Sequence, residues 1–220
     1  MKKNATAAAP TAPDAARENW LNTPFVLLSA YLVIWLGLAI APVIRADWLL
    51  ENLLVFAAVP TLVATHRRFP LTNLSYVCLF VFLVLHAIGA HYTYALVPYD
   101  RWIEQLGGTP LQESLGWTRN HFDRLVHFSY GLLVVPASIE LLDRYAPAVS
   151  AWRWILPILF IASHSALFEM VEAIAAHIVA PDLGDAYLGT QGDSWDAQKD
   201  TALAILGAAI GTIAVRCRER

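Results

Sequence analysis

LSYVCLFVFLVLHAIGAHYTY, residues 74–94, contains no Lys, Arg, Asp or Glu. A bilayer core about 30 Å thick is crossed by roughly 20 predominantly apolar residues in an α-helix. The apolar side chains of this stretch fall all round the helix rather than on one stripe, the pattern of a segment surrounded by lipid or deep core. Five further stretches read the same way: Pro24–Ile44, Trp48–Thr65, Phe122–Leu142, Trp152–Ile178 and Trp195–Val215. The alternating pattern of a membrane barrel is absent. The fold expected is therefore all-α, one bundle of six transmembrane helices. Pro60, Pro136 and Pro157 lie inside spans, where membrane helices tolerate proline better than soluble ones do.

Composition agrees. The 220 residues are 57% hydrophobic and 15% charged, and mean hydropathy is +0.49, against roughly 25% charged residues in soluble domains. A net charge of −3 gives no electrostatic footprint for nucleic acid, so none is expected as a partner. Cys78 and Cys217 read as free thiols and make no disulfide framework. Residues 1–22 are polar and rich in Ala and Pro without an apolar core, which reads as a disordered cytoplasmic tail rather than a cleaved signal. Residues 23–220 form a single transmembrane domain. No fixed-period repeat is visible.

Positive residues orient the chain. With the N-terminus inside, Lys2, Lys3, Arg17, Arg67, Arg68, Arg144, Arg153, Arg216, Arg218 and Arg220 face the cytoplasm, and only Arg45, Arg101, Arg119, Arg124 and Lys199 lie outside. Both termini are then cytoplasmic, and the long connections Ala95–His121 and Val179–Ser194 are external.

Charged groups inside a membrane need a partner or a task, and here they gather at one depth. His86 and His91 lie in the outer half of the third span, and Asp123, Arg124 and His127 near the outer end of the fourth. Glu169 and Glu172 lie in the fifth, and Asp193, Asp196, Lys199 and Asp200 open the sixth. At 1.5 Å per residue, His127, Glu169 and Asp200 each sit roughly 7–10 Å below the outer boundary. Glu51 and Asn52, near the outer start of the second span, are placed to join them. Asp123 and His127 share a face at i,i+4; Ser165, Glu169 and Glu172 form one stripe, and Asp193, Asp196 and Asp200 another if that helix begins by Asp193.

Acids at such spacing repel one another unless a cation lies between them. Carboxylates and imidazoles are the ligands of Zn²⁺, Mn²⁺ and Fe²⁺, and oxygen-rich sets suit Mg²⁺ or Ca²⁺. Helix bundles build such sites from inward-facing side chains. His86, His127, Glu169, Asp193, Asp196 and Asp200 are the candidate ligands of a divalent metal ion. Asp123 would orient His127, and Glu172 is the candidate general base, so Asp123, His127 and Glu172 form the catalytic set.

Plainer readings stand beside these. His86 could be an interior histidine bonded to a carbonyl, and His91 an interfacial residue. Asp123, Asp193 and Asp196 could cap helices or pair with Arg124 and Lys199. His164 could join helices, and Glu140 and Asp143 read as snorkelling or loop charges. Tyr92, Tyr94, Tyr99, Trp102, Trp117, Tyr187 and Trp195 read as the outer aromatic belt. In PDLGDAYLGTQGDSWD, residues 181–196, Gly189 and Gly192 permit a tight turn with φ > 0 that could place backbone groups beside a ligand. On the last helix, Ala204, Gly207, Ala208 and Gly211 make a small-residue face suited to close packing, including a homodimer.

The motifs HAIGAHYTY (86–94), NHFDRLVHFSYG (120–131), FEMVEAI (168–174) and YLGTQGDSWDAQKD (187–200) together resemble the bacterial inner-membrane protein YjdF family, over nearly the whole chain after Asn19. A fainter likeness joins the C-terminal half to VanZ-like membrane proteins, through Asp123, His127, Phe128, Glu169, Asp196, Asp200, Gly207 and Gly211. Both resemblances imply a polytopic protein of the bacterial cytoplasmic membrane with a polar site, and neither supplies a reaction.

The function expected from these readings is that of a metal-dependent hydrolase or transferase. It would act at the outer leaflet on a lipid or cell-envelope precursor. A structural or accessory membrane protein is the main alternative. An ion-coupled transporter fits less well, because the polar groups lie to one side of the membrane.

Overall fold

The structure is a computed structural model that describes the backbone of residues 12–179 and 190–220. Eight helices are defined among these residues: α1 (Ala12–Leu38), α2 (Arg45–Thr65), α3 (Asn73–His91), α4 (Tyr99–Gln105), α5 (Leu111–Leu115), α6 (Phe122–Tyr145), α7 (Trp152–Val179) and α8 (Asp196–Arg218). Five of them, α2, α3, α6, α7 and α8, are long and apolar enough to cross a membrane, and the apolar part of α1, Thr23–Leu38, is somewhat shorter. Among the described residues there is no strand. All six expected spans are therefore helical, and the chain is a polytopic helical membrane protein. The short helices α4 and α5 lie in the Ala95–His121 connection.

Several boundaries differ from those expected. The first span ends at Leu38 rather than Ile44, because the chain turns at Ala41, which has a left-handed φ of 50°. The third ends at His91, since Thr93 and Tyr94 also take positive φ. α1 begins at Ala12, so helix reaches into the stretch expected to be a tail. Residues 1–11 of that expected tail lie outside the described residues.

Two helices organise the bundle. α6 packs against α8, α3 and α7, and α3 packs against α1, α2 and α6. The α6–α8 seam is the tightest because it is made of glycine. A Cβ on Gly131 would collide with the backbone of Ala204, and one on Gly207 with the carbonyl of Phe128. A Cβ on Gly211 would meet the side chain of Val135. The small-residue face of α8 is thus filled by α6 within one chain, which corrects the expectation that it offers a surface to a second copy. Val135, Ile139, Ile161, Ala204 and Ala208 form the core beside this seam.

The inner ends of the helices are tied by charge. Glu140 on α6 accepts hydrogen bonds from Thr72 N–H (2.8 Å), Thr72 Oγ1 (2.6 Å) and Ser75 Oγ (2.5 Å), which makes it the partner of the α3 N-terminus. Arg153 pairs with Asp143 at 2.7 Å and with Glu219 at 2.6 Å, joining α6, α7 and the end of α8. Glu140 and Asp143 are therefore fixed structural acids and not free interfacial charges. At the outer end, His91 bonds the Leu38 carbonyl through Nδ1 (2.7 Å), which fastens α3 to the end of α1. His164, expected to join two helices, bonds Phe160 O on its own helix (2.9 Å) and faces outward.

Candidate functional site

The outer ends of α6 and α8 are brought together by an ionic network. Arg119, just before α6, donates to Asp196 through both terminal nitrogens (2.6 and 3.3 Å) and to the Thr190 carbonyl (3.0 Å). Arg124 donates to Asp193 (2.6 Å) and Asp196 (3.2 Å), and its Nη1 lies 3.2 Å from His121 Nδ1. Lys199 adds a 2.5 Å bond to Asp193. Gln191 and Asn120 exchange a reciprocal pair of side chain–backbone bonds at 2.9 and 3.0 Å. The Asp193 carboxyl is lowered from its ordinary 3.8 to about 2, chiefly by the Lys199 hydrogen bond, then by the Trp195 N–H and Arg124. Burial lowers the His121 imidazole, and the Arg124 and Arg119 charges lower it further. His121 therefore favours its neutral form, in which Nδ1 can accept from Arg124.

This network corrects one group of expected ligands. α8 begins at Asp196, so Asp193 lies before the helix, where its Oδ1 accepts from Trp195 N–H (3.1 Å). Asp193 and Asp196 are both ion-paired, with Arg119, Arg124 and Lys199. Gly192 takes the expected positive φ of 84°. Gly189 and Tyr187 lie outside the described residues, as do the chain positions from 180 to 189.

Beneath the network lies a second layer, and here the expected convergence is found. His127 Nε2 stands 3.5 Å from Asp123 Oδ1 on its own helix and 3.3 Å from Glu169 Oε1 on α7. Asp123, His127 and Asp200 each offer a ligand atom, and these three atoms lie within 4.8 Å of one another. Asp200 is 1% exposed. Asp200 Oδ1 and Glu169 Oε1 are buried without a hydrogen-bond partner, as is Ser165 Oγ on the Glu169 stripe. Glu172 lies one turn from Glu169 on α7. Three α-helices supply this layer, with Glu51 entering from α2 as a fourth.

His86 stands to one side of it. Its Nε2 bonds the Glu51 carbonyl (3.1 Å) and its Nδ1 bonds the Tyr94 hydroxyl (2.6 Å). With both ring nitrogens engaged, His86 has no lone pair for a metal, which corrects its place among the ligands. Tyr94, expected in the aromatic belt, is buried instead, with its ring under Gly89 and its hydroxyl between His86 and the Glu51 side chain. Arg119 and Tyr94 are the two site residues that sequence reasoning assigned elsewhere. The signal for Arg119 was present, since an acidic stretch without Lys or Arg of its own needs a cation from another element.

Known sequences match most of the chain. A family model described as "Predicted membrane protein (DUF2238)" matches residues 23–220. The chain is 36% identical over 190 residues to "Inner membrane protein YjdF" of Escherichia coli (strain K12), covering 86% of this chain and 85% of that protein. These matches bear on the first resemblance drawn from the motifs and not on the VanZ-like one. No solved structure matches the chain. With its apolar helices, the family match and this relative, the chain is a multi-pass inner-membrane protein, and it belongs to the DUF2238 family of predicted membrane proteins.

Proposed function

We propose that Asp123, His127 and Asp200, with Glu169 as a fourth donor, bind a divalent metal ion, and that the protein is a metal-dependent hydrolase or transferase acting at the outer leaflet. The observation that carries this reading is the 4.8 Å grouping of three ligand atoms from two helices, with Asp200 Oδ1 buried without a hydrogen bond and Glu169 Oε1 beside it, 3.3 Å from His127 Nε2. Metal–ligand bonds of about 2.0–2.6 Å put ligands on opposite sides of an ion roughly 4–5 Å apart, so the observed spread suits a shared ion. Several acids held in a low-dielectric site call for positive charge among them, and the arginines nearby are already engaged by Asp193 and Asp196.

The chemistry follows from the donors. A bound ion supplies a Lewis acid for a phosphoryl or carbonyl oxygen, or lowers the pKa of a water. Asp123 orients the His127 ring from one turn away. Glu172, at the same depth but outside the ligand group, is placed to take a proton from an attacking hydroxyl or water. The substrate class is a lipid or envelope precursor, because the site lies just below the outer surface and between helices that meet the bilayer.

Metal analysis of the full chain, purified without chelator and equilibrated with Zn²⁺, Mn²⁺ or Mg²⁺, tests the reading. About one ion per chain is expected, with loss of at least tenfold in affinity on His127→Ala or Asp200→Asn. No retained ion for any of the three metals, or unchanged affinity in both variants, would overturn it.

A second reading is favoured by the outer network and the His127–Glu169 contact: a structural or accessory role in which buried polar groups lock α6, α7 and α8 together. It requires Glu169→Gln to lower the unfolding midpoint while leaving metal content unchanged.

A further inference from the structure

A second polar feature lies at the opposite, cytoplasmic side of the molecule and is independent of the acid pocket. α1 and α2 each pack on α3 and meet one another through Trp35, which bonds Asn52 (2.6 Å) and contacts the rings of Trp48 and Phe56; nearer the other end of the pair a cavity of about 350 Å³ opens between them. Leu28, Val59, Phe80 and Leu83 wall it, and His66 and Arg67 stand at its mouth. The volume lies within the range of small-molecule sites, roughly 300–1,000 Å³.

Two polar groups of the cavity lack hydrogen-bond partners. Tyr76 OH accepts from Leu71 N–H (3.2 Å) and shares a hydrogen bond with His66 Nδ1 (2.6 Å). The other ring nitrogen of His66, Nε2, is buried with no hydrogen-bond partner. Deeper in the cavity is Tyr31, 2% exposed, whose hydroxyl also has no partner. Arg67 adds a cation, and among the described residues the lining contains no carboxylate. Buried polar groups left without a hydrogen bond keep an uncompensated desolvation cost, so beside the Arg67 cation this geometry suits an anionic occupant that brings acceptors.

We infer that this cavity binds an anionic glycerophospholipid from the inner leaflet, its phosphate held by Arg67 and His66 and one acyl chain laid between α1 and α2. The charge is complementary: Arg67 and Arg68 mark the cytoplasmic boundary, where the leaflet surface is negative and attracts basic residues. The depth is complementary too. His66 and Val59 are seven residues apart on one helical path, or roughly 10 Å, which is a headgroup-to-chain distance. The Tyr31 hydroxyl is then the donor to an ester carbonyl. Ordinary lipid filling a groove would satisfy the apolar walls but would not discriminate among headgroups.

Native mass spectrometry of the full chain in detergent, titrated with phosphatidylglycerol, phosphatidylethanolamine or inorganic phosphate, tests this. Phosphatidylglycerol is expected to be retained about tenfold better than phosphatidylethanolamine, the difference one charge-assisted contact supplies, and inorganic phosphate is not expected to compete at equal concentration. Arg67→Gln should abolish the headgroup preference, and Leu28→Trp, which fills the cavity, should abolish retention while leaving Arg67 in place. Equal retention of the two lipids by the unaltered protein overturns the inference even if a variant fails to fold. Unchanged retention in both variants, or full competition by inorganic phosphate, overturns it as well.

Discussion

His86 and His127 are chemically identical and lie on neighbouring helices, yet they do opposite things. His86 Nε2 meets the Glu51 carbonyl and its Nδ1 the Tyr94 hydroxyl, so it is a finished hydrogen-bonding unit. His127 faces Asp123 and Glu169. Sequence spacing showed that Asp123 and His127 share a face, because i,i+4 geometry is local. It could not show Tyr94 folding back over Gly89, since that depends on the positive φ values at Thr93 and Tyr94. Nor could it separate Asp193 and Asp196 from Asp200, because the partners of the first two, Arg119 and Arg124, come from another segment. A prediction follows for Asp193. Its carboxyl is held near 2 in the folded protein against 3.8 when unpaired. The stability it contributes is therefore present above the unpaired value and is lost as pH falls from about 4 toward 2. Thermal unfolding in detergent at pH 5 and pH 2.5 should show a fall in midpoint that Asp193→Asn reduces; an identical fall in that variant would contradict the assignment.

At the scale of elements, the six spans were legible because hydropathy is a property of each segment alone. Their partners were not. The glycines of α8 signalled close approach, but a small-residue face reads the same whether it meets a neighbouring helix or a second copy. The α6–α8 seam resolves this, with Gly131, Gly207 and Gly211 admitting the opposite backbone. Because α6 carries Asp123 and His127 and α8 carries Asp200, the seam also sets the separation of the proposed ligands. Gly207→Leu should cost about 1–3 kcal/mol, the usual cost of overpacking, in a detergent-unfolding titration, and should weaken metal binding along with it. A variant of unchanged stability would mean that the helices do not meet at this face.

The whole molecule is polarised. Its outer end carries the Arg119–Arg124–Asp193–Asp196 network with the acid pocket beneath, and its inner end carries the Glu140 and Arg153 ties and the cavity at His66 and Arg67. This polarity rests on the orientation given by the positive residues. Cys217 is exposed near the end of α8, on the cytoplasmic side of that orientation. A membrane-impermeant maleimide should leave Cys217 unlabelled in intact spheroplasts and label it in inverted vesicles; labelling in spheroplasts would turn the molecule over and place the acid pocket inside.

The most direct measurement is anomalous diffraction at the zinc edge from crystals of the full chain equilibrated with Zn²⁺. The account predicts a peak within about 2.0–2.2 Å of oxygen or nitrogen atoms of Asp123, His127 and Asp200. A well-ordered site with no peak there, or a peak on Asp193 and Asp196 with their arginines displaced, would contradict it.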